Sequence, residues 1–226
     1  MKSLSSSFRI YVGIVAVLVV LLVAILALKV DRTVPVGQRA QLTVPFLLVV
    51  VLLGLVGVYL SERTGFPGIW DPRVAIKYRL FIPLLLGAAF GVGFIVLEQL
   101  QFLPSLDEPP FPASILYFLY GGVLSEIVFR LFPMPLLVWL ISNLLLRGKA
   151  QEPVAWIAAV LSALLEPLAQ VGAMALLGIH TALGIVVTFF LILATNLTLA
   201  RLFRKYGFGA SVVMRLAFYL VWHIIW

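Results

Sequence analysis

The chain is a succession of apolar runs, each about as long as a bilayer is thick, parted by short stretches that carry most of the charge. A helix of about 20 apolar residues crosses the hydrocarbon core, where every backbone polar group must be satisfied internally. Runs over residues 10–28, 42–60, 80–97, 113–146, 153–177, 181–200 and 209–226 meet that length. They predict an all-α fold, a polytopic transmembrane helical bundle of about seven to eight transmembrane helices.

Composition narrows the class further. Charged residues make up 11% and mean hydropathy is +1.17, whereas soluble domains carry about 25% charged residues. The 226 residues are nearly consumed by the spans, which leaves no sizeable soluble domain. A net charge of +7 would suggest nucleic acid in a soluble chain. Here the basic residues lie between apolar runs, as in cytoplasmic loops facing anionic headgroups. The expected partner is the lipid bilayer, and no nucleic acid is expected. The absence of cysteine excludes disulfides, thiolate metal sites and cysteine nucleophiles.

The expected organisation is two N-terminal transmembrane helices and a cytoplasmic loop over 1–79, then a transmembrane core over 80–226. The 19 apolar residues of 10–28 exceed a signal-peptide core and lack a cleavage motif, so they read as a span. The loop 61–79 is broken by Gly65, Pro67, Gly68 and Pro72. Gly87, Ala88 and Gly91 form a small face for close helix packing. The run 113–146 would be about 51 Å long as a helix, too long for one straight crossing. Pro133 and Pro135 are expected to break it sharply, and Pro167 beside Glu166 to interrupt the next helix. One broken crossing keeps Arg147, Lys149, Arg201, Arg204 and Lys205 on the side of Met1. The positive-inside bias then makes the N-terminus cytoplasmic and the C-terminus external. The expected location is the plasma (inner) membrane of a prokaryote.

Several ionisable or polar residues sit inside these runs. Glu126 with Arg130, Glu166 with Gln170, and Arg215 with Tyr219 and His223 recur every four residues, one helical turn apart. Polar stripes in membrane helices turn inward, so a shared interior cluster is expected. Two readings stay open: compensated ion pairs, Glu126 with Arg130 and Glu166 with Arg215, that hold the bundle, or a functional site. Catalytic zinc wants three ligands, and the two histidines, His180 and His223, do not supply them. No metal and no cofactor is expected. His180 reads as a helix-terminal or interfacial residue, and so does His223, although it shares a face with Arg215 and Tyr219. Trp222 and Trp226 read as interfacial anchors. Asn196 and Thr198 are expected to hydrogen-bond across helices.

Three fragments, taken in order, resemble the CPBP family of intramembrane proteases, which includes type II CAAX prenyl endopeptidases and bacteriocin-processing enzymes. GGVLSEIVFRLFPM resembles its first motif, Glu-Glu-x-x-x-Arg, with Ser125 at the first position and Glu126, Phe129 and Arg130 matching. SALLEPLAQ resembles the second, Phe-x-x-x-His, with Glu166 and Gln170 in those places. Residues 204–223 resemble the third, a Tyr-Gly turn followed by His-x-x-x-Asn or Asp, with Arg215 and Tyr219 substituted. The resemblance covers about residues 80–226. It implies a glutamate that activates water, histidines that assist, and a prenylated or membrane-bound peptide as substrate. In this chain the water-activating position is Ser125 and both motif histidines are replaced. Glu126 and Arg130 are the retained motif positions. The expected function is therefore that of a degenerate member, a non-catalytic scaffold or binding protein for a lipid, a prenylated tail or a transmembrane segment. The alternatives are an active intramembrane endopeptidase and a small transporter using the ionisable cluster as a relay.

Overall fold

The computed structural model describes residues 5–103, 108–177 and 182–226, of which 173–177 by backbone alone. His180, expected at a helix terminus, lies outside the described residues.

Among the described residues, eight α-helices and the π turns that extend them build seven spans long and apolar enough to cross a membrane. The first is α1, Ser6–Ala27, whose N-terminus is capped by Ser5 Oγ accepting the Phe8 N–H at 3.1 Å. The second is α2, Val44–Arg63, capped in the same way by Thr43. Such caps satisfy donors that the first helical turn leaves free. A π turn over Lys77–Phe81 runs into α3, Ile82–Gln99, so the third span starts earlier than the apolar run alone indicates.

The fourth span, Ala113–Leu145, is a single helical stretch and not a sharply broken one. It consists of α4, Ala113–Glu126, a π turn over Ile127–Leu131, α5, Pro133–Val138, and a second π turn over Trp139–Leu145. The π turn takes up the prolines. Its widened ladder closes through the Phe132 N–H to the Ile127 carbonyl at 3.1 Å, and Pro133 sits where a first-turn N–H would be unused. Pro133 denies the Phe129 carbonyl its usual donor four residues on, and the Ser162 hydroxyl of the following helix donates to that oxygen instead. Pro135 leaves the Leu131 carbonyl in the same position. Gly57 of α2 packs against that oxygen so closely that a Cβ would overlap it.

The next helix, α6, runs over Gln151–Leu177 with Pro167 inside it, again without the expected interruption. It pairs with α7, Ala182–Tyr206. Gly207, at φ +89°, turns the chain into α8, Phe208–Tyr219, which ends in a π turn over Leu220–Ile225. A side chain at Gly207 would strike the Gly68 carbonyl, so this turn needs both the left-handed backbone and the missing Cβ. No strand occurs among the described residues.

The fourth span is the centre of the bundle, in contact with α1, α2, α6 and α8. One core runs through Tyr11 and Leu18 of α1, Val50 and Val58 of α2, Tyr120 and Leu124 of α4, Met134 of α5, and Ala158 of α6. The expected small face of α3 lies on α8: a Cβ at Gly87 would overlap the Met214 carbonyl, and one at Gly91 would come within 2.8 Å of Val221. Val12, Val20 and Val23 of α1 and Leu48 and Leu52 of α2 point outward, as lipid-facing positions do. Asn196 and Thr198 do not reach across helices. Their side chains bond back to the Ile192 and Ala194 carbonyls of α7, one turn earlier on the same helix.

Candidate functional site

Four charged side chains from three spans meet in the middle of the bundle. Glu126 ends α4, Arg130 lies in the following π turn, Glu166 is on α6, and Arg215 is on α8. All four are buried, with Glu126 and Arg130 at 0% exposure. A π turn in the middle of a helix re-aims its side chains, and such turns concentrate at functional sites.

Arg215 is the hub of the tetrad. Its Nε donates to Glu126 Oε1 at 3.0 Å, while Nη1 and Nη2 grip Glu166 Oε1 at 3.0 Å and Oε2 at 2.6 Å. The two-pronged geometry is the one guanidinium and carboxylate favour. Arg130 Nη1 closes the ring, 3.2 Å from Glu126 Oε1 and 3.2 Å from Glu166 Oε2. The two separate pairs expected from the sequence are thus both present but fused. Each carboxylate faces both guanidiniums, and the formal charges cancel.

The other expected residues divide. Gln170, on the exposed side of α6, donates its Nε2 to Glu166 Oε1 at 3.2 Å and so joins the ring's edge. The Arg215 guanidinium lies 5.5 Å from the Tyr219 ring centre, and Ser125 borders the Tyr219 hydroxyl. His223 belongs elsewhere. Its ring stacks on Phe118 at 4.2 Å, and its Nδ1 meets Glu108 Oε1 at 2.5 Å. Nearby, Trp222 Nε1 donates to Glu98 Oε2 at 3.0 Å. Trp222 is therefore tied to protein, whereas Trp226 remains exposed. Glu98 lies in the last turn of α3 and Glu108 in the stretch between α3 and α4, and only their lack of basic neighbours in sequence hinted that the end of α8 would satisfy them.

Chemically, the ring is poor at proton abstraction. A guanidinium stays protonated and cannot serve as a base. Glu126 Oε1 and both oxygens of Glu166 are taken up by cations. Ser125 has Tyr219 beside it, and the one histidine among the described residues, His223, is bonded to Glu108. Three buried atoms of the tetrad have no hydrogen-bond partner: Glu126 Oε2, Arg130 Nε and Arg130 Nη2. Among the described residues no three His, Cys, Asp or Glu side chains converge as metal ligands do.

Comparison of the chain with protein-family models, with curated proteins and with solved structures gives no match.

Proposed function

We propose that this is a CPBP-like intramembrane protein in which a buried ion tetrad has replaced the proteolytic centre, acting as a non-catalytic scaffold or binding protein. Its partner would be a prenylated tail or a transmembrane segment of another protein. The observation that carries this reading is Arg215. It stands where the resemblance calls for a histidine, and it donates to both buried carboxylates. Hydrolysis needs a base with a free lone pair near the attacking water, and the tetrad spends three of its four carboxylate oxygens on guanidiniums.

One atom favours a second reading, an active endopeptidase. Glu126 Oε2 is buried and unpartnered, and a carboxylate oxygen in that state can accept from a water. The two readings separate in one experiment. The full-length protein, reconstituted in lipid nanodiscs, is incubated with a farnesylated peptide carrying a fluorophore. Binding without cleavage beyond a protein-free blank is the expected result. Turnover by the wild-type protein would overturn the scaffold reading.

The orientation proposed is cytoplasmic for the N-terminus, in the inner membrane of a prokaryote. Its support is sidedness: Arg63, Arg73, Lys77, Arg79, Arg147, Lys149, Arg204 and Lys205 gather at span ends on the side where α1 begins, against Lys29, Arg32 and Arg39 on the other.

A further inference from the structure

A cavity of about 230 Å³, which the tetrad does not touch, lies where α1 begins and α2 ends. Ser7, Ser61, Glu62 and Arg73 supply its polar wall. Ser61 is 8% exposed, and its buried Oγ has no hydrogen-bond partner. Buried hydroxyls ordinarily have one, so this group is poised for something the protein itself does not provide. Glu62 enters no ion pair among the described residues. Arg73 holds Asp71 through Nε and Nη2, which leaves Nη1 uncommitted.

Ile69 and Phe208 line both this cavity and a second one of about 350 Å³. The second is wholly apolar, walled by Ile10 and Ile14 of α1, Trp70, and Val212 and Val213 of α8. Along α1, Ile14 lies about 10 Å deeper in the membrane than Ser7 at the helical rise. Polar groups of both charges therefore sit at the end of the spans, with an apolar slot directly inward of them. That sequence of environments is complementary to an amphiphile with a zwitterionic head.

We propose that the two cavities together hold one aminophospholipid of the phosphatidylethanolamine class. Its phosphate would take Arg73 Nη1 and the Ser61 hydroxyl, its primary ammonium would donate to Glu62, and one acyl chain would fill the apolar slot. A quaternary choline has no N–H to give to Glu62, and a head with only negative charge would face that carboxylate unpaired. This site is independent of the scaffold reading, because no residue of the tetrad lines it.

The test uses the full-length protein, delipidated in detergent and offered equal amounts of phosphatidylethanolamine, phosphatidylcholine and phosphatidylglycerol, with bound lipid read by native mass spectrometry. Wild type is expected to retain one phosphatidylethanolamine in about tenfold preference, the worth of one charge-assisted hydrogen bond. The double variant Glu62→Gln with Arg73→Gln should lose the preference, and Val213→Trp should lose the retained lipid. Equal retention of all three lipids by wild type, a preference for phosphatidylglycerol, or an unchanged preference in the double variant would overturn the assignment. Glu62 and Arg73 are exposed and outside the core, so the double variant decides the matter even if Val213→Trp does not fold.

Discussion

Arg215 is a single side chain on which two other spans depend. Removing one member of a buried charge pair strands its partner, at a cost of about 3–5 kcal/mol. Arg215→Ala and Glu166→Ala should each destabilise by that order, and the double variant should be milder than their sum by about 0.5–3 kcal/mol. Unfolding of the purified variants in lipid bicelles measures both terms. Strict additivity would show that the close contact between them carries no coupling. Outside the membrane, Asp71 offers a different handle. The side chain and backbone N–H groups of Arg73 hold its carboxyl at about 2, below the ordinary 3.8. Because the folded value is depressed, the stabilisation is complete above pH ~4 and fades as pH falls from about 4 towards 2. Asp71→Asn should remove that acid-side loss, as followed by thermal midpoints across the same window. The four-residue spacing of Glu126 and Arg130 was enough to expect a pair. Glu166 with Arg215 was likewise expected, from charge balance, but the cross contacts of Arg215 to Glu126 and of Arg130 to Glu166 needed the rotation of each helix about its axis, which one sequence does not state.

Prolines in the fourth and fifth spans show how an element can differ from its local propensity. Pro133 was expected to break a helix, yet the chain remains helical because the π turn before it widens the ladder and Ser162 serves the freed Phe129 carbonyl. Ser162→Ala should leave that buried oxygen unpartnered and cost about 1–3 kcal/mol, seen as a lower unfolding midpoint. A midpoint equal to that of wild type would mean the proline is accommodated by the π turn alone. The small face of α3 was, by contrast, readable in sequence, since Gly87, Ala88 and Gly91 recur at one-turn spacing. Gly87→Ala should force α3 away from α8 at about 1–3 kcal/mol. Gly13→Ala, at a position with open space around it, is the matched control and should be neutral.

At the scale of the whole molecule, the described residues hold seven helices long and apolar enough to cross a membrane, and seven crossings would put the start of α1 and the end of α8 on opposite faces. The chain has no cysteine, so single introduced cysteines report without background. In inside-out vesicles, Lys149→Cys and Lys205→Cys should label with an impermeant maleimide, and Gln101→Cys should not. The reverse pattern would invert the proposed orientation. The same topology explains why the N-terminal pair of spans shares the core of the rest: α1 reaches α4, and α2 reaches the π turn that holds Arg130.

Hydrophobic run length settles the helical, membrane-spanning class before any contact is known, because the bilayer demands apolar segments with closed backbone ladders. Turn spacing likewise announces that Glu126, Glu166 and Arg215 share an interior. The tertiary structure alone decides that their charges close into one ring, that His223 pairs with Glu108 instead, and that proline-bearing helices stay whole. Each of these depends on which face one helix presents to another, and that is set by the packing of the entire bundle rather than by neighbours along the chain.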